Sequence, residues 1–377
     1  MTVAFTGRLP GAWRGVFWAW QRGDEGGGIS RGALLWRAIA ASLMHRAALR
    51  RWMAVVHELH SRGLVADLPG EFLRAVRPSV HRHTDVSARV VQLIDHVDWM
   101  EGAFRGPAFE TLCADQPLVL ANLPPPCGYE SMVLQLQRAP VQAPEGELLL
   151  TLALKRSPAV QHKAVQVEAA AVGFSVFRID GSACLAIGGV RGPRHPVQRV
   201  SAMELTQAMS GWKPSVLMVR VAQELAAYWS LKLVGLNPSS HRLQGWRYQL
   251  SRRHRDAGQR IYGSYDALWD HFDATKGPNG WMVLPRESDD KLAATALSPE
   301  KRARQILRAD FWIRTRRQLH IDSRELLQRP ARAPSLSRVT QSEQSPQDDE
   351  WDDAVAAATG SRMVPAKLLE TGPGSLI

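Results

Sequence analysis

The sequence has few cysteines and lacks long apolar runs. Its 377 residues include only Cys113, Cys127 and Cys184, which are far apart and form no Cys-X-X-Cys pair. An odd number of widely spaced cysteines argues against a disulfide framework and favours a reducing compartment. No stretch approaches the ~18 uninterrupted apolar residues of a membrane-spanning helix, because Arg37 and Glu168 interrupt the best candidates.

The first residues also lack the apolar core of a signal peptide, because Arg8, Gly11, Arg14 and Gln21 interrupt it. Together with the missing membrane span, this absence predicts a cytoplasmic protein without a transmembrane segment.

Acidic residues are in deficit. Forty-seven Lys and Arg residues stand against 36 Asp and Glu, which gives a net charge of +11 and a pI near 10. Such a balance favours an anionic partner: nucleic acid, an anionic membrane face or a phosphorylated small molecule. The alternative is a solvated basic surface without a specific partner.

A metal motif is missing as well. His57, His60, His81 and His83 are the histidines whose spacing invites one, but no cysteine is near and His57 to His60 is not a His-Glu-X-X-His pattern. We predict that the protein has no metal site.

Periodicity predicts an α/β (α+β) fold, in which a helical region leads into a mixed, largely antiparallel sheet with flanking helices. The main domain spans residues 31–320. The predicted parts are a flexible N-terminus (1–30), a helical region (31–115), an α/β core (116–290), a basic helix (298–320) and a disordered tail (330–377) that is rich in Ser, Pro, Gln and Asp.

Alternating apolar residues predict strands from residue 118 onward. An Asp180-Gly181 pair between two such runs is a strong signal for a β-hairpin. The predicted strands cover residues 118–123, 132–137, 147–154, 165–179 and 184–187.

A helix beginning at Pro214 is followed directly by a short strand at residues 233–237. Proline suits the first position of a helix, and Leu217, Val221 and Leu225 recur at helical spacing. Because α/β sheets often hold their sites at strand ends, we expect polar groups near the end of this strand.

The strongest anion-binding candidate runs from Gly188 to His195. We interpret it as a loop between a strand and a helix, in which Gly189, Arg191, Gly192 and Arg194 bind a phosphorylated cofactor through backbone N–H groups and guanidinium groups. The alternative is a tight turn that needs glycine for a positive φ.

The second candidate lies between His241 and Tyr248. Tyr248 could act as a general acid and His241 as a base, while Arg242 and Arg247 neutralise a negative charge on the substrate. The alternative is a solvated basic loop. Glu147, in the run Glu145-Gly146-Glu147, is a further candidate base, unless the two carboxylates only cap a turn.

The basic helix carries seven Lys or Arg residues between Lys301 and Arg317, together with Phe311, Trp312 and Ile313. Such a helix could lie on anionic lipid at the inner membrane face or on nucleic acid, or it could pack its apolar side on the domain.

Several of these segments, in order over roughly residues 35–320, resemble the VirK/YbjX family of bacterial proteins, a domain of unknown function. The segments that carry the resemblance are 87–100, 145–148, 187–193, 205–206, 211–214, 247–248, 265–269, 280–285 and the helix after Lys301. Two departures stand out: Arg191 replaces the usual Gln, and Ala169-Ala170-Ala171 replaces a strand rich in Tyr and Phe.

The resemblance implies a bacterial cytoplasmic protein linked to virulence, envelope stress, antimicrobial-peptide resistance and the DNA-damage response. More distantly, the core resembles GCN5-related acyltransferases, which implies an acyl-coenzyme A or acyl-carrier-protein donor held by residues 191–194, with Tyr248 as the acid that protonates the leaving thiolate. The alternative function is a non-enzymatic stress protein that binds nucleic acid or another anionic partner.

Overall fold

The computed structural model describes residues 15–19, 31–126, 128–141, 143, 145–156, 166–192, 202–245, 264–286 and 298–328. The remaining parts of the predicted N-terminus and the whole predicted tail lie outside the described residues.

Helices dominate the first third of the chain. Asp85 caps one of them, since its carboxylate accepts a hydrogen bond from the N–H of Ala88. The α-helices of seven or more described residues are α1 (Arg31–Met44), α2 (Arg46–Ser61), α3 (Leu68–Val76), α4 (Val86–Ala103), α5 (Gly106–Cys113), α6 (Ala202–Ala208), α7 (Pro214–Tyr228), α8 (residues 264–271) and α9 (Pro299–Ser323).

The described strands form one eight-stranded sheet in the order β1-β2-β3-β4-β5-β6-β8-β7, and only β5 and β6 pair in parallel. The fold is therefore mixed α/β with a largely antiparallel sheet, as the sequence predicts. The strands are β1 (Leu118–Leu123), β2 (Tyr129–Arg138), β3 (Leu148–Arg156), β4 (Gln166–Ile179), β5 (Ser182–Arg191), β6 (Lys232–Leu236), β7 (Thr275–Lys276) and β8 (Trp281–Val283).

The predicted hairpin at Asp180-Gly181 is confirmed. Ile179 pairs with Ser182, and the two turn residues both have positive φ, 46° and 74°. A two-residue turn of this kind matches the twist of antiparallel strands. The start of α7 at Pro214 is confirmed as well.

Large aromatic side chains fill the core between the sheet and the helices. Trp99 meets Trp229 edge to face with ring centroids 4.9 Å apart, and Trp212 and Trp269 are also almost fully buried. Helix α9 extends this packing along the edge strand β1, where Asp322 accepts a hydrogen bond from the N–H of Asn122. The helix thereby covers a strand edge that would otherwise be open to pairing with other chains.

The basic helix is longer than predicted, and of the two alternatives for its apolar side, packing on the domain holds for two of the three residues. Phe311 and Trp312 are buried against the domain, whereas Ile313 is exposed. Trp312 packs beside Trp212, whose indole N–H donates to the carbonyl of Arg308. Of the three apolar residues, Ile313 alone is exposed and available for contact with lipid or nucleic acid.

The predicted loop at Gly188 is also wrong in its first half. Strand β5 continues through Gly188 and Gly189 to Arg191, so these residues belong to the sheet. Neither of the two glycines nor Gly192 has a positive φ, which removes the interpretation of a turn that needs glycine for its backbone angles.

Candidate active site where two parallel strands part

The candidate site lies where β5 and β6 stop pairing. Their parallel ladder runs from Cys184 opposite Lys232 to Ile187 opposite Gly235, and β5 then continues four residues further beside β4 alone. Residues 188–191 of β5 therefore have no described strand partner on the β6 side. This opening follows the carboxyl ends of parallel strands, the usual place for ligand sites in α/β sheets.

A β-bulge marks the point of divergence. Gly173 pairs with Gly189 and Phe174 with Ile187, so Gly188 is the extra residue on β5. Bulges of this kind bend a strand and are over-represented next to active sites. The bulge turns the end of β5 away from β6 directly after their last shared pair.

Helix α8 spans the opening with two aromatic residues. The Tyr265 hydroxyl accepts a hydrogen bond of 2.9 Å from the N–H of Val190 on β5. One turn later, the Trp269 indole N–H donates to the carbonyl of Leu236 on β6, at 2.9 Å. The helix thus replaces strand pairing at the place where the two strands part.

Burial raises the pKa of Tyr265 to about 12, although the N–H of Val190 and the charge of Arg191 oppose this shift. The phenol is therefore protonated at neutral pH, and its O–H remains a hydrogen-bond donor. Tyr265 is the functional candidate that sequence reasoning missed. The sequence could have pointed to it, because residues 265–269 are among the segments that carry the family resemblance.

Glu145 crosses the end of β5 and packs on glycines of β4 and β5. A Cβ atom on Gly189 would lie 2.6 Å from Cβ of Glu145, and one on Gly173 would lie 2.7 Å from the same atom. These positions require glycine because of the close approach of Glu145. The half-buried Glu145 and the Tyr265 hydroxyl both lie against Gly189.

Glu147, the predicted base, points instead into a buried ion network. Its carboxylate binds Arg74 at 2.9 Å and also binds Arg89, and its N–H donates to the hydroxyl of Ser175. Burial alone would raise the pKa of Glu147, but the guanidinium groups of Arg89 and Arg74 outweigh it and hold the pKa at about 2.

The same network joins helices α3 and α4 to strands β2 and β4. Glu71 on α3 binds Arg138 on β2 at 2.6 Å and lies 3.4 Å from Arg74. His96 on α4 accepts a hydrogen bond from the N–H of Val176, and burial lowers its pKa to about 3. The network therefore anchors the segment that carries Glu145 to the helical region.

His241 and Arg242 lie on the segment that follows β6. His241 forms an antiparallel bridge with His81, and the N–H of Arg242 donates to the carbonyl of Val80. Val80 in turn packs on Gly188, since its Cγ1 would lie 2.9 Å from a Cβ there. The fold thereby places His241 and Arg242 at the same end of the sheet as Gly189.

The surroundings of His241 determine the charge of its imidazole ring and which ring nitrogen carries the hydrogen. Its Nδ1 accepts a hydrogen bond from the N–H of Leu243, and burial, aided by the charge of Arg242, lowers its pKa to about 4. The ring is therefore neutral near pH 7, with its hydrogen on Nε2. In this arrangement His241 can donate a hydrogen bond through Nε2 but cannot accept a proton there.

Arg191 and Gly192, two of the residues predicted to bind an anion, lie at the end of β5. Arg191 is half-buried, and its Nη1 atom is buried without a hydrogen-bond partner among the described residues. Gly192 is exposed, and nothing lies within 4 Å of a Cβ placed on it. The other predicted site residues, Arg194, Arg247 and Tyr248, lie outside the described residues.

The histidines considered for a metal site have other partners. His57 and His60 hydrogen-bond to the carbonyls of Met53 and Val65, and His81 to that of Asn279. Across the described ranges, no group of three His, Cys, Asp or Glu side chains could hold a metal ion. Within the same ranges, no helix is long and apolar enough to span a membrane.

Fold and site together define a mixed α/β protein whose candidate site lies at the carboxyl end of the one parallel pair among the described strands. A family model for proteins of unknown function, DUF535, matches residues 30–310, and the chain belongs to this family, which is the VirK/YbjX family that the sequence resembles. Comparison with curated proteins and with solved structures gives no match.

Proposed function

We propose that this protein is an acyltransferase that takes its acyl group from a thioester of coenzyme A or of an acyl-carrier protein. The observation that carries the proposal is the parting of β5 and β6 after the pair of Ile187 and Gly235, with a bulge at Gly188. The end of a strand that has left its parallel partner is the usual place for a ligand in an α/β sheet.

The residues at the end of β5 suit the anionic part of such a donor. Arg191 offers a buried guanidinium nitrogen without a partner among the described residues, and Gly192 leaves space for close approach. Guanidinium groups bind phosphate oxygens strongly and in a defined geometry. Arg194 adds a second guanidinium three residues further along the chain, and Arg242 and Arg247 would neutralise charge on the acceptor.

The proposed proton transfers use residues on either side of Gly189. An amine or hydroxyl acceptor attacks the thioester carbonyl carbon, and Glu145 accepts the proton that the acceptor loses. As the carbon–sulfur bond breaks, Tyr265 or Tyr248 donates its phenolic proton to the departing thiolate, and the proton taken up by Glu145 then returns to the phenolate. Glu147 positions the segment of Glu145, and His241 donates a hydrogen bond through Nε2.

Thermal unfolding with coenzyme A, acetyl-coenzyme A and a long-chain acyl-coenzyme A tests the proposal. A ligand at 100 times its Kd stabilises the folded state by about 2.7 kcal/mol, which a melting experiment detects readily. Arg191→Ala should reduce the shift, whereas Arg304→Ala, an exposed change on α9, should not. The absence of a shift with every thioester would contradict the proposal.

A second candidate function is non-enzymatic binding of nucleic acid or another anionic partner. Lys301, Arg302, Arg304 and Arg317 are exposed on α9 and form no ion pair with a described residue. Exposed Ile306, Leu307 and Ile313 on the same helix would add apolar contacts with an anionic membrane face. The links to virulence, envelope stress and DNA damage remain predictions from the resemblance.

A salt titration tests this second function. Binding that neutralises several phosphates weakens steeply between low and moderate salt. Filter binding with DNA and RNA, and flotation with anionic vesicles, would each show such a loss. Absence of binding at low salt in both experiments would exclude it.

A further inference from the structure

A basic cavity lies at the other end of β6 from the candidate active site. It is formed where α7 ends, where α9 ends and where α5 begins, and its volume is about 1010 Å³. Tyr228 precedes β6, whereas the opening described above follows it, so the two sites are separate. The residues that line the cavity are Arg105, Tyr228, His320, Arg324, Leu327 and Gln328.

Two arginines of this cavity are free to bind an acid. Arg105 and Arg324 are exposed, and neither forms an ion pair with a described residue. The nearby Glu224 already binds Arg316 at 2.9 Å and His320 at 3.3 Å. Beside the guanidinium groups, the half-buried Tyr228 supplies an aromatic wall.

The chain itself contains a segment with the complementary composition. Six of the eleven residues 343–353 are acidic and none is basic, in a protein whose net charge is +11. Five of those acids surround Trp351 within residues 348–353. A carboxylate-rich peptide with a central aromatic ring matches a cavity that has guanidinium groups and an aromatic wall.

The connection between cavity and segment has a suitable length. Gln328 lines the cavity and is the last described residue, and residues 329–347 separate it from Asp348. A chain of that length has a root-mean-square span of about 25 Å when unfolded. Such a tether keeps the acidic segment at an effective concentration on the order of millimolar near the cavity.

We propose that residues 348–353 of this chain dock in the basic cavity, with Trp351 on Tyr228 and the acidic side chains on Arg105 and Arg324. The docked segment would connect residues 348–353 to the end of α9. This inference does not depend on the proposed acyltransferase function.

The test places a photoreactive residue in the full-length chain. Trp351 is replaced by p-benzoylphenylalanine, and the cross-linked peptides are mapped by mass spectrometry. We expect cross-links to peptides that contain Arg105, Tyr228 or residues 320–328. The matched control carries the same photoreactive residue at Leu368, in the same tail but outside the acidic segment, and should not label the cavity.

Charge reversal shows whether the contact is electrostatic. The pair Arg105→Glu and Arg324→Glu should lower the cross-linking yield about tenfold, the change that two exposed ion pairs together produce. Adding Asp348→Arg and Asp349→Arg should restore the yield. Because both arginines are exposed, the variants should fold, which circular dichroism checks and the restored yield confirms.

Three outcomes would overturn the proposal. Cross-links that map outside the cavity, or a yield that charge reversal leaves unchanged, would show that the segment does not dock there. Cross-links that join a heavy-isotope chain to a light chain in a mixed sample would show that the occupant is a second copy.

Discussion

The Tyr265 hydroxyl accepts a hydrogen bond from the N–H of Val190 across the end of the sheet, 75 residues away along the chain. This bond connects α8 to the one part of β5 that has left its parallel partner. The same hydroxyl lies against Gly189, where Glu145 also packs. A single phenol thus completes the sheet and forms part of the candidate active site.

Replacing Tyr265 by Phe tests how much its hydrogen bond to Val190 contributes to the stability of the fold. The variant leaves the half-buried N–H of Val190 without this acceptor, so we expect a loss of about 1 kcal/mol in the free energy of unfolding. Urea denaturation measures it through the midpoint. A variant as stable as the parent protein would show that the hydrogen bond is unimportant or that water replaces it.

The two glycines at the end of β5 should respond differently to the same substitution. Gly189→Ala places a Cβ 2.6 Å from that of Glu145, whereas Gly192→Ala meets nothing within 4 Å and has no positive φ to strain it. We expect Gly189→Ala to cost about 1–3 kcal/mol and Gly192→Ala less than about 0.5 kcal/mol. Thermal unfolding of the two variants side by side measures the difference, and equal stability would contradict the packing of Glu145.

Glu147→Gln tests the buried ion network. The change leaves Arg74 and Arg89 with a neutral partner in a buried site, and breaking a buried pair in this way costs about 3–5 kcal/mol. The matched control is Glu130→Gln, which removes a largely exposed pair with Lys155 and should cost less than about 1 kcal/mol. Equal costs in denaturant unfolding would mean that the network contributes little to stability.

Stability should fall as the pH is lowered from neutrality. The pKa of His96 is lowered to about 3 and that of His241 to about 4, chiefly by burial, from the ordinary value of 6.5. Between 6.5 and these values the unfolded chain binds more protons than the folded one, so the free energy of unfolding decreases with decreasing pH. Each histidine contributes at most about 1.4 kcal/mol per pH unit in that window.

The carboxyl group of Glu147 extends the decrease in the free energy of unfolding to lower pH. Its folded pKa of about 2 lies below the ordinary 4.5, so its contribution is present above 4.5 and disappears as the pH falls through 2. Urea unfolding at pH 7, 6 and 5 isolates the histidines. His96→Asn, which keeps an acceptor for Val176, should flatten the pH dependence, whereas the exposed His83→Asn should leave it unchanged.

Local sequence determined the elements that depend on neighbouring residues. The bounds of β1, the Asp180-Gly181 turn and the start of α7 at Pro214 follow from alternation, positive φ and the fixed φ of proline, which act over a few residues. Family membership was also readable, because its segments occur in order along the chain.

Only the tertiary structure decided what the site contains. Glu145, Gly189 and Tyr265 meet from three distant parts of the chain, and the alternation that predicts β5 does not show where its pairing with β6 ends. The sequence offered Glu145 and Glu147 as equivalent carboxylates of one motif. Neither residue lies in a strand, and the irregular backbone just before β3 lets their side chains take different directions. The charges of Arg74 and Arg89 hold Glu147 in a buried network, whereas Glu145 packs on Gly189 at the end of β5.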